Sequence, residues 1–407
     1  MWRRYGDAPY TILVLGVFTV ELVSLGLLTW TLSLRMGQLV PTTRIEQVLI
    51  GSVASTAAAV LLLSAYILVY HMLSVPRERR DRERMAAWTE RWLRVVDGAT
   101  PAPRAPLARE ALEAALELRE RLHGEEGREL STVLERLRVA DLLVKRAGAR
   151  AITTRLEALD ALAKARLPSA FRTLQTLVVD PAPSVRFMAA RAAARTTAAM
   201  VPGAERDKCA TVLALTLDAG ELPPSAAGEV ILLLEDAAST FLTVLFSIPQ
   251  LSPTLLRGAL DAVGRLGLER FADRAASAVT HTDREVRAAG LRALGRLGRV
   301  PRKARDPLVI ALTEDTEFVR IQAARAAAFL PRTMAVSLLY ESMGDRSWWV
   351  RRSSAESLLH LGPDGRAALQ KAIDSHPDRF ARDMSEQVLL DAWIGEVRPD
   401  AALEGMA

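Results

Sequence analysis

The chain has 407 residues, of which 50% are apolar and 25% are charged, and its formal net charge at pH 7 is +5. Because 53 basic residues face 48 acidic ones, bulk charge does not by itself indicate a nucleic-acid-binding protein. The single cysteine, Cys209, excludes an intramolecular disulfide and a cysteine-rich metal site, and the low aromatic content of 5% in a chain rich in alanine and leucine favours helices over strands.

Two long apolar segments near the N-terminus predict a two-span transmembrane hairpin within residues 1–75. Residues 9–34 and 47–73 each exceed the about 20 residues that a helix needs to cross the hydrocarbon core. Arginines precede the first segment and follow the second, whereas the connecting loop carries only Arg35 and Arg44. By the positive-inside rule, both termini and all residues after the hairpin face the cytoplasm.

Two features of the predicted hairpin are candidate contacts for another membrane subunit. Glu21 lies at the centre of the first segment, where an ionised carboxylate is costly. It either bonds in its protonated form to a hydroxyl of the second segment, such as that of Ser55, or pairs with a membrane partner. Gly51, Ser55 and Ala59 place a small residue at every fourth position, which lets a helix of a partner or of the hairpin itself approach closely.

Residues 76–106 predict a basic juxtamembrane helix and a proline-rich linker. The helix at 77–97 combines arginines with one apolar face, so it either lies on an anionic lipid surface or forms a solvated stem. The sequence PAPRAP at 101–106 predicts a stiff linker and a domain boundary. The apolar face comprises Trp88, Trp92, Val95 and Val96.

Two leucine-rich helical patterns follow the linker, at 107–123 and 128–147, with Glu and Arg at spacings of three and four residues. They predict a pair of capping helices over residues 107–149. At the other end of the chain, residues 396–407 are expected to form a flexible tail.

Between residues 150 and 395 the chain repeats one helical pattern. Seven segments align without gaps, from TRLEALDALA at 154–163 to ARDMSEQVLL at 381–390, mostly at intervals of about 31 to 33 residues. One longer interval hides a divergent unit near 206–238, which gives about eight units. Repeats of this length predict an α-solenoid, in which each helix pair buries its apolar face against the next pair.

These units resemble HEAT repeats, specifically the short subtype also found in phycobilisome lyases. The resemblance implies an all-α fold in which an aspartate in the turn and an arginine early in the second helix of each repeat form a stacking ladder of charge-assisted bonds between units. Small residues such as Gly290 and Ala323 are expected where neighbouring second helices pack closely, and Arg155 lacks a clear aspartate partner. The expected ladder residues are Asp180 with Arg186, Asp283 with Arg287, Asp315 with Arg320, Asp345 with Arg351, and Asp378 with Arg382.

Motifs of catalysis and cofactor binding are missing from the sequence. It contains no GxxxxGK phosphate loop, no HExxH and no paired cysteine motif, and its 5 histidines lack metal-ligand spacing. We therefore expect no enzyme activity, no cofactor and no metal, and we assign no catalytic residue.

The second helices instead carry a mainly basic ridge. In HEAT-like solenoids the second helices line the concave face, so the resemblance implies a docking groove for an acidic partner segment, with a merely solvated face as the alternative. Trp348 and Trp349 are residue types enriched in binding hot spots, and we expect one of them in the core and the other exposed. The ridge comprises Arg191, Asp261, Arg292, Arg325 and Glu356 and, four residues further along each helix, Arg195, Arg265, Arg296, Phe329 and His360.

The sequence thus favours a membrane-anchored scaffold or regulatory subunit in the inner membrane of a bacterium, with its repeats in the cytoplasm. The expected partners are another integral membrane protein and membrane lipids, without nucleic acid or a small-molecule substrate. Two-span HEAT proteins resemble accessory components of bacterial envelope systems, including those with membrane-embedded glycosyltransferases that synthesise polysaccharides such as exopolysaccharide. The alternatives are a bilin-lyase-like enzyme, against which Cys209 and the anchor speak, and a nucleic-acid-binding solenoid, whose basic field Asp261 and Glu356 weaken.

Overall fold

A computed structural model describes most of the chain after residue 81. The chain divides into two compact units, Met1–Arg91 and Trp92–Ala407. Asp315 and residues 398–407 lie outside the described residues. Those described are 20, 23, 52, 55, 56, 58–60, 62, 63, 66, 82–314 and 316–397.

In the first unit, every described residue between 20 and 66 is helical. Most of the two segments predicted to cross the membrane, including Glu21 and Gly51, lies outside the described residues. Among the residues that are described, no helix has both the length and the apolar character needed to cross a membrane.

The helix predicted after the hairpin is present at residues 82–96. Trp92 is fully buried, and its indole Nε1 donates a hydrogen bond to the backbone oxygen of Ala111 at 2.8 Å. Val95 and Val96 are also buried. The prediction that this apolar face meets lipid or solvent is therefore wrong for these three residues, because they pack inside the protein and the indole N–H has an internal acceptor.

All regular structure that follows in the described residues is helical, and we number the helices α1 to α18. Short 3₁₀ turns lead into several of them, at Pro168–Ala170, Asp218–Gly220, Glu235–Ala237, Glu269–Phe271 and Arg302–Ala304. The helices are α1 Arg109–Arg121, α2 Gly124–Arg136, α3 Val139–Ala147, α4 Ile152–Ala165, α5 Phe171–Leu177, α6 Pro183–Ala199, α7 Ala204–Leu217, α8 Pro224–Leu232, α9 Ala238–Leu245, α10 Pro253–Arg265, α11 Ala272–Ala278, α12 Arg284–Leu297, α13 Arg305–Ala311, α14 Glu317–Ala327, α15 Arg332–Ser342, α16 Trp348–His360, α17 Pro363–Ser375 and α18 Arg379–Val397.

The region predicted as two capping helices contains three. The pattern at 128–147 is divided between α2 and α3, because Arg138 adopts a left-handed backbone conformation with φ of 58° that a helix cannot continue through. Helix α1 packs against α4, and α3 also packs against α4 as its antiparallel partner. Only α1 and α2 therefore act as a cap, and the repeating architecture begins at Val139.

From α3 onward the chain can be divided into eight successive helix pairs, from α3/α4 to α17/α18. In six of these pairs the two helices pack against each other, whereas in the middle of the chain α7 packs against α9 and α8 packs against α10. The even-numbered second helices pack side by side along the chain. Helices α7 and α8 lie in the interval where the sequence pattern is divergent, and α7 packs against α9 rather than against α8. Alanine, leucine and valine side chains of both helices fill the core between successive units. Ser252, Asp283 and Ser347 cap α10, α12 and α16 by accepting a backbone N–H of the first turn.

The small residue at the position of Gly290 has a different role from the one expected. A Cβ atom at Gly290 would lie 2.8 Å from the backbone oxygen of Ala275, which belongs to α11, the first helix of the same unit. Close approach between neighbouring second helices instead involves Gly264 and Gly295. A Cβ at Gly264 would lie 3.1 Å from the Cα of Ala293 in α12. Thus Gly290 closes the helix pair of its own unit.

Candidate functional site

Arg320 joins two successive units. Its Nε and Nη2 atoms donate to Oδ2 and Oδ1 of Asp345 at 2.8 and 3.0 Å, a bidentate pair with the following unit. Its Nη1 donates to the backbone oxygen of Glu314, in the turn of its own unit, at 2.8 Å. The Arg320 side chain is only 5% exposed. One guanidinium therefore closes its own turn and binds the next unit, using the fork of donors that a lysine lacks.

The same arrangement recurs at two other second helices. Arg287 donates from Nη1 to the backbone oxygen of His281 at 2.9 Å and from Nε to the carboxylate of Glu314 at 3.0 Å. This hydrogen bond raises the pKa of Arg287 above its usual value. Arg155 pairs with Asp180 of the following unit. We call these three ion pairs the arginine ladder.

As the resemblance implied, the ladder joins successive units, and the structure shows which arginine pairs with which carboxylate. Each ladder arginine reaches the carboxylate of the next unit and also donates to a backbone carbonyl of its own unit, from Nη1 in Arg287 and Arg320 and from Nε in Arg155. Asp283 and Asp378 accept the backbone N–H two residues later, each at 2.7 Å, and so cap a helix. Asp315 lies outside the described residues. Arg155, expected to lack a partner, has Asp180.

Two histidines take the place of the ladder carboxylate. The Nδ1 atoms of His281 and His376 accept the backbone N–H two residues later, at 3.0 and 3.1 Å. We call the position of Arg287 and Arg320 in the repeat the ladder position. In the unit before His281 this position holds Leu256, an apolar residue that needs no carboxylate partner. In the unit before His376 it holds Arg351, whose guanidinium lies over the ring of Phe380 at 5.0 Å. The ladder is therefore structural, and it is interrupted where Leu256 replaces the arginine and where His376 replaces the carboxylate.

The predicted basic ridge is less basic than its sequence suggests. Three of its arginines form ion pairs with acidic residues of other helices, and these pairs neutralise much of its charge. Ridge residue Glu356 is also engaged, since it accepts a hydrogen bond from Arg352 at 2.6 Å. The three pairs are Arg191 with Glu229 at 3.6 Å, Arg195 with Glu120 at 2.9 Å and Arg296 with Asp261 at 2.5 Å.

Where α12, α14 and α16 adjoin, the ridge residues line a groove of about 400 Å³. Arg292 and Arg325 project here, and neither forms an ion pair with any residue that the structure describes. The rings of Phe329 and His360 lie edge to face with centroids 5.5 Å apart. We call this the inner groove, and its lining residues are Arg292, Gly295, Arg296, Gln322, Arg325, Ala328, Phe329, Ser353, Glu356, Ser357 and His360.

The inner groove brings together six residues that the sequence placed on the ridge, and it adds five others, of which Gln322, Ser353 and Ser357 are polar. These three were missed because only two positions of the repeat were followed, whereas residues one helical turn away share the same face. The groove offers two arginine forks, hydroxyl and amide groups, and an aromatic pair. Such groups bind carboxylates by charge-assisted hydrogen bonds and an apolar side chain by contact.

Trp348 and Trp349 form an exposed aromatic pair at the start of α16. They are 42% and 61% exposed, and their rings lie edge to face with centroids 4.7 Å apart. The expectation that one of them packs into the core is therefore wrong. Val350 occupies the core position instead and is fully buried. Because Trp349, Ser353 and Glu356 are spaced by four and three residues, Trp349 continues the stripe of α16 that lines the inner groove.

The other residues considered as candidates belong to the first unit or, like Cys209, lie outside the inner groove. Ser55 and Ala59 are helical, with Ser55 half-buried and Ala59 buried. Their role in partner binding stays a prediction, as does that of Glu21 and Gly51. Cys209 is buried in α7, and this burial raises the pKa of its thiol. Among the described residues, no group of three or more His, Cys, Asp and Glu side chains could hold a metal ion.

A family model of HEAT repeats matches residues 306–390, which correspond to α13 to α18. No curated protein sequence matches the chain. Similar solved structures include an engineered protein, with 18% identity over 74% of this chain and 98% of the other and a TM-score of 0.29. They also include human deoxyhypusine hydroxylase in complex with glycerol, with 17% identity over 62% of this chain and 95% of the other and a TM-score of 0.24.

A third similar structure is that of Kap121p, with 14% identity over 86% of this chain and a TM-score of 0.34. The chain spans less than half of Kap121p, 45% of its length. The even-numbered helices from α4 to α18 pack in one continuous series, and the family match covers the last part of that series. The described repeats therefore form an α-solenoid, in which residues 306–390 match HEAT repeats.

Proposed function

We propose that this protein is a non-catalytic, membrane-anchored scaffold or regulatory subunit whose inner groove docks an acidic segment of a partner protein. Arg292 and Arg325 support this most directly. Both guanidiniums line one groove and have no carboxylate partner among the described residues, whereas Arg296 beside them is paired with Asp261. Two arginines held in this way are available to carboxylates of a second chain.

The partner segment is expected to carry an apolar or aromatic side chain as well as carboxylates. The Phe329 and His360 rings offer such a side chain a flat apolar contact beside the arginines. Trp349, exposed on the same stripe of α16, extends this contact to the start of the helix. A segment that contacts these three aromatic residues and both arginines would cross α12, α14 and α16.

Several contacts favour a binding role over catalysis. The carboxylates of Asp345 and Glu314 are engaged by ladder arginines, and Glu356 in the groove is engaged by Arg352. Because the burial of Cys209 raises its pKa, the thiol is a poor nucleophile. The ion pairs along the ridge also reduce the positive field that a nucleic acid would need, so an acidic protein segment fits the surface better.

The anchor is proposed from the two apolar segments at 9–34 and 47–73 and the arginines that flank them. The helical residues Val20, Val23, Val60 and Leu62 are each more than half exposed, as apolar side chains facing lipid would be. In this arrangement the protein lies in the inner membrane of a bacterium, with both termini and the repeats in the cytoplasm. Its partner would be another integral membrane subunit, with a polysaccharide-synthesising glycosyltransferase as the first class to test.

Co-purification from native membranes in mild detergent tests this function. The double variant Arg292→Glu/Arg325→Glu should lose at least about ninety per cent of the partner protein, because the reversed charges repel its carboxylates. The matched control Arg284→Glu/Arg302→Glu makes the same change of charge at two exposed arginines outside the groove and should keep the partner. Equal recovery with both double variants would show that the inner groove does not dock the partner.

A further inference from the structure

The last second helix, α18, exposes apolar residues on the face where a further unit would stack. Leu390 is 52% exposed and Trp393 is 59% exposed. In the aligned repeats these residues occupy the positions of Gly295 and Gly298 in α12. A Cβ at Gly298 would lie 3.5 Å from the ring of Phe329, in the region of the next unit. The exposed residues of α18 therefore lie on the stacking face of the final unit.

The final unit also has an arginine at the ladder position without its usual carboxylate. Arg382 donates from Nη1 to the backbone oxygen of His376 at 2.6 Å, as the ladder arginines do in their own turns. No residue in the described part of the chain pairs with its charge. One helical turn further, Glu386 is exposed and likewise forms no ion pair with a described residue. An unmatched cation and an unmatched anion thus lie side by side on the stacking face.

The other end of the stack is covered. Helix α1 packs against α4, and Glu120 of α1 bonds Arg195 of α6 at 2.9 Å. Terminal repeats normally carry a polar outer face, because an apolar one would be exposed to water. At the α18 end the described residues include no such cap.

We propose that this face of α18 is a self-association site, at which a second copy of the chain packs through a twofold axis. The face, here called the terminal face, comprises Arg382, Glu386, Leu390 and Trp393. In an isologous contact the same surface serves both partners, so it must be complementary to itself.

The terminal face meets that condition when the two α18 helices run antiparallel. An axis near Met384 places Arg382 of one copy opposite Glu386 of the other, and the reverse pair forms by symmetry. It also brings Leu390 and Trp393 of one copy towards the start of α18 in the other copy. The two ion pairs and the apolar contacts are then formed together. None of these residues lines the inner groove, so self-association leaves the groove open.

Mass measurement of the full-length protein in mild detergent tests the proposal, with light scattering corrected for bound detergent. The wild type should be a dimer at micromolar concentration. Leu390→Glu/Trp393→Glu should be monomeric with unchanged helical content, because its carboxylates cannot be buried against a second copy. A monomeric wild type, or a dimer that persists in this variant, would overturn the proposal.

A charge exchange tests the twofold pairing itself. Arg382→Glu and Glu386→Arg alone should each raise the dimer dissociation constant at least tenfold, since each places like charges opposite one another. The double exchange Arg382→Glu/Glu386→Arg restores opposite charges across the axis and should recover the wild-type constant within about threefold. A double variant no tighter than the single ones would rule out the pairing. Co-purification of the partner protein is read separately, because it depends on the inner groove.

Discussion

Arg320 and Asp345 belong to successive units, and their bidentate ion pair is nearly enclosed, with side chains only 5% and 13% exposed. Arg320→Ala should lower the free energy of unfolding by about 3 to 5 kcal/mol, because the carboxylate of Asp345 stays buried without its counter-charge. Denaturant unfolding of the full-length protein in detergent, followed by circular dichroism, measures the loss.

Arg332→Ala is the control for this prediction. Arg332 pairs with Asp364 at 3.2 Å, with both side chains 58% exposed, and also donates to the backbone oxygen of Leu361 at 2.6 Å. Loss of these contacts should change the free energy of unfolding by less than about 2 kcal/mol. Equal effects of the two substitutions would mean that the Arg320 ion pair does not hold the units together.

Alanine substitutions at two glycines of α12 separate the effect of packing on stability from the effect of helix propensity. Gly290→Ala should lower the free energy of unfolding by about 1 to 3 kcal/mol relative to Gly295→Ala, because overpacking forces α11 and α12 apart. A Cβ at Gly290 would lie 2.8 Å from the backbone oxygen of Ala275, whereas a Cβ at Gly295 would lie 3.7 Å from Ala326. Both substitutions gain the same propensity of about 1 kcal/mol, so thermal melts of the two variants isolate the packing cost.

Cys209 should react slowly with iodoacetamide in the folded protein at pH 8. Burial raises the pKa of its thiol, so the reactive thiolate is less populated in the folded than in the unfolded chain. The pH profile of alkylation should therefore shift to higher pH than that of the urea-unfolded protein. The same shift makes folding less favourable as pH rises through the folded pKa, because the unfolded chain releases this proton first. Equal rates in both states would contradict the burial of Cys209.

The proposed anchor predicts opposite accessibility for the two ends of one membrane span. A tag inserted in the loop at 35–46 should be labelled from outside the cell by an impermeant reagent, whereas a reporter fused after Ala407 should be labelled only after permeabilisation. Labelling of both from outside would rule out the hairpin.

Two separate contacts should hold the partner. Glu21→Leu removes the proposed contact within the membrane and should weaken co-purification equally at low and high salt. Arg292→Ala/Arg325→Ala should instead remove most of the salt dependence, since exposed charges are screened over about 8 to 10 Å at physiological ionic strength. Neither change should abolish the complex, because linked contacts raise each other's effective concentration. Unchanged binding in both variants would contradict both contacts.

The sequence predicts the inner groove well because helical periodicity converts spacing into position. Arg292, Arg296 and Arg325 recur at the same places in successive units, so one face of the second helices must carry them. The aromatic residues Phe329 and His360 follow from the same register. The repeat pattern therefore predicts both the fold class and which residues of the second helices share this face.

The repeat pattern does not predict which side chains form ion pairs with each other. Arg296 is neutralised by Asp261, 35 residues earlier, and Arg287 bonds Glu314 rather than an aspartate of its own turn. Which partner an arginine binds depends on the distance and angle between units, and the spacing of the sequence repeat determines neither. Exposure also depends on caps: Ser347 starts α16 so that Trp348 and Trp349 lie outside and Val350 inside.

The change from arginine to Leu256 in α10 has a mechanical consequence. Bidentate ion pairs resist sliding because a shift of about 1 Å lengthens two directional bonds at once, whereas apolar contacts are non-directional and resist sliding less. Between the Arg155–Asp180 pair and the Arg287–Glu314 pair, no arginine of the described chain forms a ladder bond. A load applied along the stack of helices should therefore bend the segment around α7 to α10 before the stretch from α12 to α16, where the Arg287–Glu314 and Arg320–Asp345 pairs join successive units.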